Sequence, residues 1–218
     1  MPRQHGWASR TPAALLRQLS ATPAPVVVFD VDGVITGLVE DDIYHLPVQP
    51  GEEAYLTSAA DRLGLMVQGF DIAYRRAMVY HQAALRIGRP TPPGPYLDVC
   101  HWVQAQGLPW FTLTARSTPA MTGRLLAFLD QQQLRPSETF MIGRVEKPLQ
   151  LDYLQTLFAG RLHYVDDSEG HLEKIAAHSG VRVTLHLAER ATPAPGAERL
   201  ISLYRSVVDE ALAQVAAA

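Results

Sequence analysis

The sequence predicts an α/β fold: a parallel sheet covered by helices on both faces, with a small helical insertion after its first long strand. Short valine- and leucine-rich runs alternate with longer segments of helical period, as successive βαβ units require. The run Val26-Val27-Val28-Phe29 is apolar throughout, as a strand buried on both faces is. A chain of 218 residues can also bury one sizeable core and carry a small inserted lobe.

The elements follow in order. Thr11-Pro12 reads as a helix start with proline in the first turn, and Leu15, Leu16 and Leu19 share one face. The residues from Ala21 to Pro25 end that helix before the first strand, 25–29. Further strands are expected at 109–113, 139–142, 162–165 and 181–185, with helices at 96–106, 119–133, 148–158 and 169–179 between them. Between Gly37 and Gly94 no strand pattern occurs. There Leu56, Ala59, Ala60 and Leu63 have helical spacing, as do Phe70, Ala73, Tyr74, Ala77, Tyr80, His81 and Ala84. Residues 1–37 and 95–218 are therefore expected to form the sheet domain, and 38–94 a small helical lobe. After a linker at 191–196, the residues Leu200, Tyr204, Val207, Val208, Ala211 and Val215 make an amphipathic helix face. It is expected to pack on the domain rather than on another subunit, and the chain to be a monomer or homodimer.

Composition narrows the function. A hydrophobic share of 47% with 19% charged residues is that of a globular protein, not a disordered one. A net charge of -3 and a pI near 6.2 argue against a nucleic-acid partner, which calls for a basic surface. The single cysteine, Cys100, excludes an intramolecular disulfide and suits a reducing compartment. No apolar stretch approaches the ~20 residues of a membrane helix, and residues 1–24 lack the apolar centre of a signal peptide. A cytoplasmic protein with no membrane partner is expected.

Asp30 and Asp32 end the first long strand, in Phe29-Asp30-Val31-Asp32-Gly33. Residues i and i+2 of extended chain project to one side, so both carboxylates share a small volume. Like charges that close raise each other's pKa unless a cation intervenes. The pair implies either a shared proton or a bound hard cation such as Mg²⁺.

Three further signals follow in order. The second strand ends in Leu113-Thr114-Ala115-Arg116-Ser117-Thr118-Pro119, a hydroxyl and backbone N–H groups ahead of a helix start, which is anion-binding chemistry. Gly143-Arg144-Val145-Glu146-Lys147-Pro148 puts a lysine just before a helix, where an ammonium offsets phosphate charge; Arg144 is the other cation in that loop. Leu162-His163-Tyr164-Val165-Asp166-Asp167-Ser168 again runs an apolar strand into paired acids, with Ser168 as a helix cap. Taken singly, Thr114 reads as an ordinary cap and Lys147 as a solvated lysine.

Together, Asp30/Asp32, Thr114, Lys147 and Asp166/Asp167 resemble the four motifs of the haloacid dehalogenase-like (HAD) superfamily, over roughly residues 26–187. The resemblance implies a doubly wound, Rossmann-like sheet with the site at the carboxyl ends of the strands. It also implies that the insertion is a C1-type cap that closes over the site and selects substrates.

By the same resemblance Asp30 is the nucleophile that forms an aspartyl-phosphate, and Asp32 is the general acid and base. Thr114, Ala115 and Lys147 cradle the phosphate. Mg²⁺ is held by Asp30, Asp32 (through its backbone carbonyl) and Asp167, with Asp166 as the alternate ligand. The second acid at position 32 favours phosphoryl transfer over dehalogenation.

The expected activity is hydrolysis of a small phosphorylated metabolite, a sugar phosphate or nucleotide. The alternatives are a non-catalytic binding domain, a phosphotransferase or mutase, and a nucleic-acid end phosphatase of the same fold. In the insertion Arg75, Arg76, Arg86 and Arg89 read as solvated and Tyr80 and His81 as core, while Glu40, Asp41 and Asp42 form an acidic cluster near the flap.

Overall fold

The computed structural model describes residues 6–37, 43–44, 46–116, 118–143, 145–158, 161–178, 180–189 and 196–217. Six strands form one sheet: β1 (Trp7–Arg10), β2 (Val26–Phe29), β3 (Trp110–Thr114), β4 (Glu138–Met141), β5 (Leu162–Asp166) and β6 (Thr184–Ala188). Their order is β1-β6-β5-β2-β3-β4 and every pairing is parallel. Eight helices occur among the described residues: α1 (Pro12–Ala21), α2 (Glu52–Arg62), α3 (Ile72–Arg86), α4 (Leu97–Ala105), α5 (Pro119–Gln131), α6 (Lys147–Leu157), α7 (Glu169–Ala177) and α8 (Ala197–Ala216). The α/β class with a parallel, doubly wound sheet is as expected.

Strand β2 runs down the middle of the sheet, in register with β5 (Val26 opposite Leu162) and β3 (Val27 opposite Trp110). All four of its side chains are fully buried, as a β-branched run between two parallel neighbours should be. Val26 and Val28 pack with Leu151 and Leu154 of α6 and Leu172 and Ile175 of α7. Val27 and Phe29 turn to the opposite face, where Phe29 meets the Trp110 ring edge-on at 6.1 Å.

Two strands differ from the sequence reading. β1 was not expected, because Trp-Ala-Ser-Arg has no apolar run; it is an edge strand whose existence depends on its partner β6 (Trp7 opposite Leu185). The Tyr96 hydroxyl ties this edge down by donating to the Arg10 carbonyl while accepting from the Glu189 N–H at 2.8 Å. β6 lies three residues later than expected, since Thr184 is the residue that pairs with His163. Val181 and Val183 still contribute to the core, but as loop residues packed against it.

The chain divides into two compact units, one of residues 1–37, 93–117 and 130–192, the other of 38–92, 118–129 and 193–218. The second unit thus takes in more than the insertion: 118–129 and 193–218, expected with the sheet, belong to it. The reason is burial. Leu200, Tyr204, Val207, Val208, Ala211 and Leu212 of α8 join Leu56, Ala59 and Ala60 of α2 and Ala77, Tyr80 and Ala84 of α3 in one apolar cluster.

Inside that cluster Arg76 is a correction: it is fully buried, not solvated. Its Nε and Nη2 donate to the two carboxylate oxygens of Glu52 at 2.6 and 2.8 Å, and Nη1 donates to the carbonyls of Ile43 and Leu46. Burial pushes the Glu52 carboxyl up, but hydrogen bonds from Arg76, the Gln49 N–H and the Tyr204 hydroxyl outweigh it and hold the pKa below the ordinary value. Tyr80 and His81 are buried, as core residues. The Glu40, Asp41 and Asp42 cluster lies outside the described residues, as do Ser117 and Arg144.

Candidate active site

The chain winds from β2 through β3 to β4 on one side of the sheet, then returns to place β5 on the other side of β2. The carboxyl end of β2 is therefore the topological switch point, where open α/β sheets form their ligand crevice. Asp30 directly follows β2 and donates its N–H to the Val165 carbonyl at 2.8 Å, extending the ladder by one bond. Asp166 ends β5 and Thr114 ends β3. Three of the sequence-selected residues are thus neighbours because their strands are.

Lys147, the first residue of α6, completes this group. Its Nζ lies 2.9 Å from Asp30 Oδ1 and 2.8 Å from Asp166 Oδ2. All three side chains are at most 9% exposed. Asp166 also accepts from the Tyr164 hydroxyl at 2.5 Å and from the Ser168 N–H at 2.8 Å.

The electrostatics follow from this wiring. Burial pushes the Asp30 carboxyl well above the ordinary carboxylate range; Lys147 pulls it back, and the charges of Asp166, Asp32 and Asp167 push it up again. Burial pushes Asp166 up too, but Lys147 and His171 outweigh it and hold that carboxyl well below its ordinary value. Burial would lower Lys147, yet Asp30 and Asp166 hold its ammonium above the usual lysine range. Burial, then the Asp166 and Asp30 charges, raise the Tyr164 phenol, which stays a donor.

Asp32 faces a different partner. Arg116 Nε donates to its Oδ2 at 3.2 Å and Nη2 to its Oδ1 at 2.6 Å, a two-toothed pair in which the arginine is 3% exposed and the aspartate 23%. The turn that presents Asp32 needs Gly33, whose φ is +75°. Thr36 then folds back to donate to the Val31 carbonyl at 3.1 Å. Gly94 packs against this segment so closely that a Cβ there would lie 2.4 Å from the Val34 carbonyl oxygen. The Thr114 hydroxyl accepts the Arg116 N–H at 3.2 Å, and is buried. It keeps its own hydrogen to donate.

A cleft of about 260 Å³ opens beside Lys147, lined by Ala115, Gly143, Lys147, Pro148, His171 and Lys174 among others. Ala115 is exposed. Asp166, the last residue of β5, is fully buried, and Asp167, which follows it, only half-buried. The Asp167 charge also raises the Asp30 carboxyl.

Asp30, Asp166 and His171 each offer an atom within 4.8 Å of the others. The Lys147 ammonium already stands 2.8 to 3.1 Å from one atom of each, so the cation of that cluster is lysine. Four carboxylates (Asp30, Asp32, Asp166, Asp167) nevertheless gather at the strand ends, where Lys147 pairs with Asp30 and Asp166 and Arg116 with Asp32. That gathering of negative charge, presented by hard oxygen donors, suits a divalent cation of the Mg²⁺ kind.

Three contributors were not singled out from the sequence: Arg116, Tyr164 and His171. Arg116 directly follows Thr114-Ala115, and His171 lies one helical turn after Ser168, which caps α7. Both were readable only as neighbours of the selected positions.

No family model matches the chain, and no curated protein matches its sequence. Among solved structures it resembles a HAD-superfamily hydrolase of subfamily IA from Geobacter sulfurreducens PCA (16% identity, 83% of this chain and 100% of that one, TM-score 0.45). It also resembles a phosphonoacetaldehyde hydrolase-like protein from Oleispira antarctica (16%, 89% and 86%, TM-score 0.47). A third is a HAD-superfamily hydrolase from Ehrlichia chaffeensis (7%, 86% and 98%, TM-score 0.43). Likeness of this degree decides nothing about activity, which has to be read from the residues.

Proposed function

We propose that this chain hydrolyses phosphomonoesters of small metabolites through an aspartyl-phosphate on Asp30, with Mg²⁺ as cofactor. The observation that carries the reading is the Lys147 ammonium 2.9 Å from Asp30 Oδ1 at the switch point. A buried carboxylate held by a cation beside a cleft is oriented for attack.

In the first step an Asp30 oxygen attacks phosphorus, the bond from phosphorus to the ester oxygen breaks, and Asp32 gives that oxygen a proton. In the second, water attacks the phosphorus of the aspartyl-phosphate and passes a proton to Asp32. The Asp30–phosphorus bond then breaks and inorganic phosphate leaves. Thr114, the Ala115 N–H and Lys147 hold the phosphoryl oxygens, and Lys147 offsets the charge that develops on them.

Asp30, the Asp32 carbonyl and Asp167 would hold the metal. Asp167 is preferred to Asp166 because both Asp166 oxygens already accept hydrogen bonds, from Lys147, Tyr164 and Ser168. Bound there, Mg²⁺ would screen the carboxylates and polarise the phosphoryl group.

The test is a Mg²⁺-dependent screen over a panel of phosphorylated metabolites and an aryl phosphate, with Asp30→Asn as control. Release of inorganic phosphate by wild type and none by Asp30→Asn is expected. Equal turnover by the two would refute the nucleophile assignment, and transfer to a sugar without phosphate release would make the protein a mutase.

A further inference from the structure

We infer that Arg116 is a substrate-binding residue: in the free enzyme it is held by Asp32, and it exchanges that carboxylate for the phosphoryl group when a monoester binds. The inference rests on the phosphomonoesterase reading above and adds a residue to it.

The first ground is position. Arg116 is the next residue but one after Thr114, and its own N–H is bonded to the Thr114 hydroxyl at 3.2 Å. Its backbone is thus anchored to the end of β3, beside the residues that would cradle the phosphate.

The second ground is shape. The Nε and Nη2 edge of the guanidinium is turned squarely onto two oxygens, those of Asp32 at 3.2 and 2.6 Å. The same fork matches two oxygens of a phosphoryl group, and arginine is the side chain suited to such planar, paired recognition. A buried Arg116 has lost its hydration already, so exchanging one oxyanion for another costs it little new desolvation.

The third ground is a conflict that exchange resolves. Asp32 has to reach the ester oxygen, yet each of its oxygens accepts from Arg116. Some event must free it. A phosphomonoester dianion carries twice the charge of a carboxylate and competes successfully for a cation in a poorly solvated site. A phosphodiester, singly charged, has no such advantage. Arg116 thereby couples release of the proton-transfer residue to arrival of a doubly charged phosphoryl group. Lys147 is less able to do this, being ringed by Asp30, Asp166 and His171 at 2.8 to 3.1 Å.

The experiment compares wild type, Arg116→Ala, Arg116→Lys and the similarly sized Arg116→Gln in the full chain with Mg²⁺. It measures KM and kcat on an aryl phosphate monoester, turnover of the matching aryl diester, and inhibition by inorganic phosphate. Arg116→Ala is expected to raise both KM and the inhibition constant for phosphate about tenfold or more, and to erode the preference for monoester over diester by a similar factor. Arg116→Lys should recover part of the phosphate affinity, since it keeps the charge and loses the fork.

If Arg116→Ala does not fold, Arg116→Gln answers the same questions. Unchanged KM, phosphate inhibition and monoester preference in a folded variant overturn the inference alone, leaving Arg116 a mere partner of Asp32. No turnover by wild type overturns the phosphatase reading, and this inference with it.

Discussion

Lys147 and Asp30 form a buried ion pair, Nζ to Oδ1 at 2.9 Å, although one begins α6 and the other follows β2. The Lys147 charge opposes the burial that raises the Asp30 carboxyl, and the ion pair fixes where its Oδ1 points. Lys147→Met is expected to lower turnover at least ~100-fold. Removing one partner of a buried pair also costs about 3–5 kcal/mol of stability. Adding Asp166→Asn should recover part of the melting temperature and none of the activity. Aryl phosphate assays and thermal melts check both, and wild-type turnover by Lys147→Met would rule out the ammonium's role.

Asp32→Asn should act through the leaving group. An alkoxide needs a proton to depart and a nitrophenolate does not, so the variant should lose about 10²- to 10⁴-fold on an alkyl phosphate and far less on nitrophenyl phosphate. A uniform loss across leaving groups would show that Asp32 has another task.

Metal removal should abolish turnover. Dialysis against a chelator followed by added Mg²⁺ is expected to restore it, because the acids at the strand ends offer hard oxygen donors. Asp167→Asn should raise the Mg²⁺ concentration needed for half-activity more than it lowers the melting temperature. Full activity in chelator would show that turnover needs no divalent cation.

His163 and His186, neighbours on β5 and β6, are stacked 3° from parallel with Nδ1 and Nε2 3.0 Å apart. Burial lowers both pKa values, and the nearby His163 and Arg10 help carry His186 down to about 3. A lowered folded pKa means the unfolded chain binds more protons as pH falls. The pair's contribution is therefore complete above the unfolded value of about 6.5 and is lost progressively towards pH 3. The wild-type melting temperature should fall between pH 7.5 and 5, and His186→Phe, which keeps the stacking, should fall less. Parallel profiles for the two proteins would clear the pair of that role.

In the second unit, Arg76→Met strands the fully buried Glu52 without its cation. A loss of about 3–5 kcal/mol is expected by denaturant titration. Arg76→Met with Glu52→Leu, which removes both charges, should lose much less. Equal losses would mean the packing of Arg76, rather than its charge, is what matters.

Much of this could be read directly from the chain. The runs at 25–29, 109–113 and 162–165 marked buried strands, and their polar endings marked the residues now found around one point of the sheet. The helical spacing of Leu56, Ala59, Ala60 and Leu63, and of the set from Phe70 to Ala84, marked the two helices found at Glu52–Arg62 and Ile72–Arg86. The strand β1 could not be found this way, since Trp7–Arg10 lacks apolar character and is extended only because β6 offers it a ladder. Nor could the burial of Arg76, because nothing near it in sequence announces Glu52.

The sequence by itself determined the fold class, the order of the elements and which acids end which strands, because periodicity and strand endings are properties of adjacent residues. Only the tertiary structure decided which charge meets which. Sheet order made Asp30 and Asp166 neighbours across β2 and β5, put Lys147 between them, and turned Arg116 onto Asp32. Those distances depend on strands and helices far apart in the chain, and a carboxylate's chemistry depends on the cation within 3 Å of it more than on the residues beside it in sequence.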